Sequence, residues 1–370
     1  MKNIIVVFGG KSCEHDVSVI TGVMTLNGID KTIYNPIPVY VNKNGVWFTG
    51  EKLKDISFYK NVSFEKLERV TLSVGDKNLY LVRKGRIKKL CEIYTIVNCM
   101  HGGGGEDGSV FAYTSLCNIP CTSPSLFASS LAMDKEFTKI ALKGIDEKCL
   151  ACVRIKKDAF YLRRDCALKM VEKRLGYPVI IKPVTLGSSI GISFAENIQE
   201  LEKGIDFALK YDNKIIVEKG LKDFTEINCA VYKKEGNAIV SELEEVKKSD
   251  EILSFADKYK TPAEKIFPAK IKKELEQKIK KSSLNIYRKL GFSGVIRIDY
   301  IVKDDEYFVN EINSIPGSLA YYLFVKNTSE FKDMLTSLIE ESVDEFKAKN
   351  EVEWTFDGGI LNLSSAKICK

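Results

Sequence analysis

Residues 295–317 have the sequence VIRIDYIVKDDEYFVNEINSIPG, in which two runs rich in apolar residues flank the turn residues Lys303, Asp304 and Asp305. This pattern predicts a β-hairpin with strands over residues 295–302 and 306–312. Side chains alternate between the two faces of a strand, so polar residues two positions apart share a face. The sequence therefore predicts a hairpin with one polar face in an otherwise apolar strand pair.

The polar face of this hairpin carries Arg297 and Asp299 on its first strand and Glu311 and Asn313 on its second. We expect the turn to place Asp299 opposite Glu311. Two carboxylates and an amide oxygen at one point suit Mg²⁺, which completes its coordination with water and nucleotide phosphates. A surface hairpin with chance acidic residues is the alternative, but burying unpaired charges among apolar neighbours is costly. These residues alone predict a bound divalent cation together with an anionic ligand, such as the phosphates of a nucleotide.

The composition indicates an ordinary globular chain with more than one domain. Its 370 residues are 45% hydrophobic and 29% charged, enough for about two or three packed domains. The formal charge of +6 is mild and spread along the chain, so nucleic acid is not an expected partner. The N-terminus lacks the features of a signal peptide and no apolar run is long enough to cross a bilayer. We therefore expect a cytoplasmic protein without membrane contact.

The ten cysteines are expected to be reduced thiols, because disulfide frameworks belong to short secreted chains. Cys149 and Cys152 have the C-x-x-C spacing. No second cysteine pair or nearby histidine completes a zinc site around them, so we interpret both as structural.

The N-terminal region begins as an α/β unit. A buried-strand pattern over residues 3–8 ends in glycines, and a helical pattern follows over residues 17–26. Gly10-Lys11-Ser12 is similar to the end of a Walker phosphate loop, but the glycine required five residues before Gly10 is Ile5. A second strand, over residues 93–100, leads into the glycine-rich segment HGGGGEDG, and ligands often bind at such strand ends.

A new domain is expected after Ser123-Pro124-Ser125. It would contain a helix over residues 133–142 with Lys135 and Lys139 on one side, a strand over 178–183 around Lys182, a small-residue turn at 187–191, and strands at 192–194 and 215–217. Lys182 lies among apolar residues and needs an anionic partner such as a phosphate. The turn could bind a phosphate through its backbone N–H groups. Further helices are predicted over residues 270–290 and 329–347.

The order of motifs resembles the D-alanine–D-alanine ligase family of the ATP-grasp superfamily. The resemblance rests on FGGKSCEHDVS at 8–18, HGGGGEDG at 101–108, MDK at 133–135, KPVTLGSS at 182–189, RID at 297–299 and NEINSIPG at 310–317. It implies an α/β fold, α+β in the C-terminal parts, with the three-domain ATP-grasp architecture. The expected domains are a Rossmann-like domain at 1–123, a central subdomain at 124–220, and a C-terminal subdomain with the metal site at 221–370.

The resemblance also implies roles for individual residues. The ATP phosphates would be bound by Lys135, Lys182, Lys258 and the turn residues Ser188 and Ser189, adenine by Glu218, Lys219 and Leu221, and the ribose by Glu226. Asp299, Glu311 and Asn313 would bind two Mg²⁺ ions, with Mn²⁺ as an alternative. Glu14 would bind the ammonium group of the first amino acid and hydrogen-bond with Ser188 and Tyr259. His101 and Tyr322 would also contact substrate, and Arg297 with the Gly317 N–H would stabilise an oxyanion.

The implied reaction joins two D-alanines for peptidoglycan precursor synthesis. ATP would phosphorylate one carboxylate, and the amine of a second amino acid would attack the acyl phosphate. The segment after Pro316-Gly317 departs from the family, because Tyr322 replaces an expected serine that helps to bind the second substrate. A ligase with another acceptor amino acid, and a nucleotide-binding regulator without turnover, are therefore the alternatives. A homodimer through the N-terminal domain is also implied.

Overall fold

The computed structural model describes residues 1–247, 264–353, 355, 356 and 358 of the chain. Its N-terminal part begins with β1 (Lys2–Gly9), α1 (His15–Gly28) and β2 (Tyr34–Val41), followed by β3 (Trp47–Thr49), β4 (Glu68–Ser73), β5 (Asp76–Arg83), β6 (Arg86–Glu92), β7 (Thr95–Asn98), α2 (Gly103–Glu106) and α3 (Ser109–Leu116). Short 3₁₀ helices lie between β3 and β4. The seven strands form a sheet in the order β6-β5-β4-β3-β2-β1-β7.

β1 pairs in parallel with β2 and with β7, which makes it an inner strand of this sheet. Its residues from Ile4 to Phe8 are fully buried because both faces of the sheet are covered. The predicted strand at 3–8 and helix at 17–26 are confirmed with slightly longer bounds. The strand predicted at 93–100 is regular only over Thr95–Asn98.

The central part contains α4 (Leu126–Met133), α5 (Lys135–Gly144), β8 (Cys152–Lys156), α6 (Lys157–Leu162), α7 (Arg164–Leu175), β9 (Val179–Pro183), β10 (Ser193–Ala195), α8 (Ile198–Ala208) and β11 (Lys214–Lys219). Its strands form an antiparallel sheet in the order β10-β9-β11-β8. The prediction of one helix over residues 133–142 is wrong at its start. Asp134 is extended and caps α5 by accepting hydrogen bonds from the N–H groups of Glu136 and Phe137, so α5 begins at Lys135.

The C-terminal part contains β12 (Thr225–Lys234), β13 (Asn237–Val240), β14 (Glu244–Val246), β15 (Lys265–Ile266), α9 (Lys273–Lys289), β16 (Ile296–Lys303), β17 (Glu306–Asn313), a 3₁₀ segment (Gly317–Leu323) and α10 (Thr328–Asn350). In the described residues the sheet order is β15-β14-β12-β16-β17, with β13 also on β12. α10 packs back on the N-terminal part, where Tyr34 and Tyr94 each donate a 2.6 Å hydrogen bond to the Glu340 carboxylate. The boundaries 123/124 and 220/221 stay predictions.

The predicted hairpin is confirmed as β16 and β17, but its register depends on a bulge. Asp304 and Asp305 both have left-handed backbone angles, with φ of 51° and 62°, which is typical of a two-residue type I′ turn. Counting back from that turn alone would place Asp299 opposite Asn310. A β-bulge makes Asn310 an extra residue and pairs Asp299 with Glu311. The predicted pairing is therefore correct, although the turn alone does not produce it.

Two further predictions concern the whole chain. The nine cysteines within the described residues are free thiols, as expected. No helix among the described residues has both the length and the apolar character needed to cross a membrane.

Candidate active site

The polar face of the hairpin is organised by Arg297. Its guanidinium donates hydrogen bonds from Nε to Asp299 Oδ1 at 2.6 Å and from Nη2 to Asp299 Oδ2 at 2.8 Å, and Asn313 donates to Asp299 Oδ2 at 3.1 Å. Burial lowers the pKa of Arg297, but Asp299, Tyr322 and Glu311 together hold it well above the ordinary value. This face thus combines a fixed positive charge with two carboxylates and an amide group.

The same face fits a divalent cation by its donor chemistry. Asp299 and Glu311 are direct cross-strand partners. Two residues further along the strands, Arg297 is paired with Asn313, so the predicted ligands Asp299, Glu311 and Asn313 are neighbours in the sheet. Cross-strand partners on one face have Cβ atoms about 4.5–5.5 Å apart, close enough for their oxygens to share one cation. The described residues contain no cluster of three or more His, Cys, Asp or Glu side chains with metal-binding geometry. A cation here would therefore depend on the amide oxygen of Asn313 as its third protein ligand.

A buried ion cluster lies beside this face. Glu218 at the end of β11 contacts Lys182 Nζ at 2.7 Å and Lys139 Nζ at 2.9 Å. Burial by itself would raise the pKa of Glu218. The positive charges of the two lysines together outweigh this effect and lower the pKa to about 2. Lys182 also donates to Asn310 Oδ1 at 3.0 Å. Lys182 is therefore fixed between the end of β11 and the bulge of β17.

Glu14, which the motifs imply binds the first amino acid, directly precedes α1. The Ser188 hydroxyl donates a short hydrogen bond to its carboxylate, which confirms the expected contact between these two residues. Burial, and next the negative charge of Glu106, raise the pKa of Glu14. Ser188 and Ser189 have left-handed φ angles of 54° and 57°, so the turn bends sharply at this point. The contact joins the N-terminal part to the central part.

A small pocket lies beside the hairpin. Its lining includes Asn310, Glu311 and Asn313 of the hairpin, Gly187 of the turn, Lys135 at the start of α5 and Glu106 at the end of α2. Lys135 donates to the Leu186 carbonyl at 2.7 Å, at the side of the turn.

Glu226, for which a ribose contact was predicted, lies on β12 and is paired in the sheet with Ile301 of β16. Lys219 donates to the Tyr177 carbonyl at 2.9 Å, and Leu221 lies two residues after the end of β11. Lys258 and Tyr259 lie outside the described residues.

His101, for which the motifs implied a substrate contact, has protein partners at both ring nitrogens. Its Nδ1 lies 2.8 Å from the Ile315 carbonyl oxygen, and its Nε2 lies 2.8 Å from Thr21 Oγ1. Both ring nitrogens are thus occupied by protein atoms, and the side chain is buried. His101 contacts the segment after β17, which contains Gly317.

Comparison with known proteins identifies the family. The description "D-ala D-ala ligase N-terminus" matches residues 3–124, and "D-ala D-ala ligase C-terminus" matches residues 143–341. The chain belongs to the D-alanine–D-alanine ligase family. It is an ATP-dependent ligase of the ATP-grasp fold, as the motifs implied.

Individual relatives of this family match along almost the whole chain. The D-alanine–D-alanine ligase of Thermosipho melanesiensis is 38% identical, covering 99% of this chain and 100% of the relative. That of Clostridium acetobutylicum is 33% identical, covering 94% and 99%. The solved VanG D-Ala:D-Ser ligase of Enterococcus faecalis has a TM-score of 0.78 at 29% identity, covering 92% and 99%. The Helicobacter pylori D-alanine–D-alanine ligase has a TM-score of 0.74 at 27% identity, covering 92% and 98%.

Several residues of the ligase cleft were not found from the sequence. Asn310 has no signal in strand alternation, because a bulge turns it towards Lys182. Lys139 was noted only as a neighbour of Lys135 on a helix, and its pairing with Glu218 spans 79 residues of chain. Thr21 looks like any small polar residue on a helix. In each case the relevant partner is distant in sequence, so no local pattern reveals it.

A further group that was not predicted surrounds Tyr322. The Lys265 ammonium lies 4.9 Å from the centre of the Tyr322 ring, and it pairs with Glu244 at 3.2 Å. Glu244 is buried and accepts a 2.9 Å hydrogen bond from Asn228, whose β12 position is directly opposite Asp299. Tyr322, where the family is expected to have a serine, is thus next to a charged network that reaches the hairpin.

Proposed function

We propose that this ligase joins two D-alanine molecules into D-alanyl-D-alanine for peptidoglycan precursor synthesis, through an acyl phosphate. The observation that carries the proposal is the meeting of three parts in one cleft. Ser188 bonds to Glu14, and the adjoining Gly187 lines the same pocket as Glu311 and Asn313. An amino-acid carboxylate held near Glu14 would therefore lie close to the residues suited to bind the nucleotide phosphates.

The nucleotide would lie between the central and C-terminal parts. Lys135, Lys182 and Lys258, with the turn residues Ser188 and Ser189, would bind its phosphates, because cations and backbone N–H groups are the usual phosphate ligands. The backbone of Glu218, Lys219 and Leu221 would contact adenine, and Glu226 the ribose. Asp299, Glu311 and Asn313 would hold Mg²⁺, or Mn²⁺ in its place, whose charge would stabilise the phosphates during transfer.

The remaining residues would act on the amino acids. The Glu14 carboxylate would accept hydrogen bonds from the ammonium group of the first D-alanine, and Ser188 and Tyr259 would orient Glu14. Arg297 and the Gly317 N–H would stabilise the oxyanion that develops when the second amine attacks the acyl phosphate. Arg297 suits this task because its bond pair with Asp299 already fixes the guanidinium plane.

The proposal extends to the setting of the enzyme. Its reaction consumes ATP, which supports the cytoplasm as its location. We also propose a homodimer formed through the N-terminal part, as the family resemblance implied.

The test is to incubate the purified chain with ATP, MgCl₂ and D-alanine, and to follow ADP release and the dipeptide mass together. We expect one ADP per D-alanyl-D-alanine, and no product from L-alanine or without a divalent cation. ADP release without any D-alanine dipeptide would reject the proposed product. Tight ATP binding without ADP release for any amino-acid pair would instead favour a regulator that has lost turnover.

A second candidate is a ligase that joins D-alanine to another acceptor such as D-serine. It is favoured by Tyr322 and its charged neighbours, and by the structural similarity to the VanG D-Ala:D-Ser ligase. Equimolar D-alanine and D-serine in one reaction decide between the two. A mixed dipeptide as the main product would favour the second candidate.

A further inference from the structure

The segment that follows β17 has an unusual backbone. Ser318, Leu319 and Ala320 have φ angles of 52°, 51° and 49°, so three consecutive residues with side chains adopt the left-handed conformation. Each such residue is less stable than in the right-handed form, because its Cβ lies close to the following carbonyl oxygen. At its start, the Leu319 N–H donates to the Pro316 carbonyl at 2.8 Å. Such a backbone conformation persists where the surrounding structure holds it in place.

Two residues of the N-terminal part supply polar contacts at both ends of the turn. At one end, the Ser318 N–H donates to Thr21 Oγ1 at 3.0 Å. At the other, His101 Nδ1 lies 2.8 Å from the Ile315 carbonyl oxygen. Thr21 and His101 contact each other at 2.8 Å through Oγ1 and Nε2. Together these contacts form a chain that begins and ends on the two residues flanking Pro316-Gly317.

The partners fix the direction of the hydrogens at both ends of this chain. A carbonyl oxygen can only accept, so the hydrogen towards Ile315 belongs to His101 Nδ1. Thr21 Oγ1 accepts from the Ser318 N–H, and one hydrogen joins Thr21 Oγ1 to His101 Nε2, with the donor set by the tautomer of His101. Thr21 is 0% exposed and His101 is 3% exposed, so a broken link would leave a buried polar group without a partner.

We propose that Thr21 and His101 are positioning residues that fix the Gly317 N–H for its role in the amide-forming step. The inference rests on the proposed function of Gly317 as an oxyanion donor. The contacts of Thr21 and His101 with each other, with Ser318 and with Ile315 form a relay. Because the relay holds Ile315 and Ser318 on either side of Gly317, the direction of the Gly317 N–H depends on it. His101 thus acts through the Gly317 segment.

The relay is separate from the packing of the segment. Ile315 and Leu319 are buried in the same apolar cluster as Val19 and Val23 of α1. Removing one hydroxyl should therefore leave the segment docked, while allowing the Gly317 N–H to change direction. α1 also begins directly after Glu14, so one helix connects the first-substrate carboxylate with the relay.

Thr21→Val removes the hydroxyl and preserves the shape of the side chain. Positional isotope exchange in ATP labelled with ¹⁸O at the β,γ bridge reports acyl phosphate formation, and dipeptide formation reports the complete reaction. A displaced donor slows the attack step by about tenfold to a hundredfold. We expect dipeptide formation to fall by this factor while exchange persists, so that the ratio of exchange to dipeptide rises at least tenfold.

Two control variants and one second test variant accompany this experiment. Thr25→Val makes the same substitution at another fully buried threonine of α1, whose hydroxyl contacts Cys99 at 3.4 Å, and should leave the ratio unchanged. Thr21→Ser retains the hydroxyl and should match the wild type. His101→Asn keeps a donor towards Ile315 but loses the acceptor for Thr21, and should raise the ratio as Thr21→Val does. Equal loss of exchange and dipeptide in Thr21→Val, or no loss of either, would overturn the proposal.

A spectroscopic measurement tests the relay independently of turnover. The chain has two histidines, His15 and His101, so their imidazole ¹⁵N signals can be assigned with one substitution each. We expect a protonated Nδ1 for His101, and a shift of its Nε2 signal in Thr21→Val but not in Thr25→Val. An unchanged Nε2 signal would reject the relay. If the wild type forms no D-alanine dipeptide, the proposed product fails, and the exchange ratio is measured with the acceptor that the enzyme does use.

Discussion

The hairpin of β16 and β17 and the left-handed turn that follows it are adjacent in sequence but are stabilised in different ways. The hairpin is closed by a local type I′ turn and pairs its polar residues across neighbouring strands. The turn at Gly317–Leu323 depends on Thr21, which is 297 residues away from Ser318. The hairpin is thus encoded locally, whereas the turn that follows it packs on the N-terminal part.

The comparison predicts that substitutions in the two regions affect different kinetic constants. Changes at the hairpin should alter the use of ATP, and changes at the turn should alter the use of the acceptor. Each of the following substitutions tests that separation.

The largest effect is expected for Glu311→Gln, which removes a charged metal ligand and keeps the side-chain volume. Loss of groups that only support a metal ligand already costs about 10–100-fold, so turnover should fall by more than about 100-fold. Dipeptide formation and thermal unfolding measure activity and fold. Glu306→Gln on the same strand is the matched control, since Glu306 is exposed and pairs with Lys148 at 2.9 Å. Near-normal turnover of Glu311→Gln would contradict the site assignment.

An intermediate effect is expected for Asn310→Leu. Lys182 would lose its 3.0 Å contact with Asn310 and keep its ion pair with Glu218, so it would be less well aligned with the phosphates. We expect the KM for ATP to rise about tenfold, with the KM for the acceptor unchanged. Initial-rate kinetics with each substrate varied in turn measures both constants.

Asn310→Asp is the companion variant, because it retains an oxygen for Lys182 and should keep the KM for ATP within about threefold of the wild type. A larger change in the acceptor constant than in the ATP constant for Asn310→Leu would show that the bulge serves both halves of the site.

The smallest effect is expected for Tyr322→Phe. The ring beneath the Lys265 ammonium remains and only the hydroxyl is lost, which corresponds to one hydrogen bond of about 0.5–1.5 kcal/mol. The KM for the acceptor should rise by about threefold to tenfold, while the KM for ATP stays the same. If the hydroxyl has no part in acceptor binding, both constants will be unchanged, and the acceptor pocket must lie elsewhere.

The sequence alone determined the features that depend on local rules. Strand alternation placed Arg297 with Asp299 on one face of the first strand and Glu311 with Asn313 on one face of the second, and the apolar run at the N-terminus predicted a buried strand. The order of the motifs identified the family before any contact was known. These predictions succeeded because the signals lie within a few residues of each other.

Tertiary structure decided the features that depend on distant partners. The bulge at Asn310 sets the register of the hairpin and presents a side chain to Lys182, 128 residues away. His101 lies between Thr21 and Ile315, although its motif implied a substrate contact. Hydrogen bonds between groups 80 to 297 residues apart leave no periodicity in the sequence, so only the folded chain reveals which polar groups they satisfy.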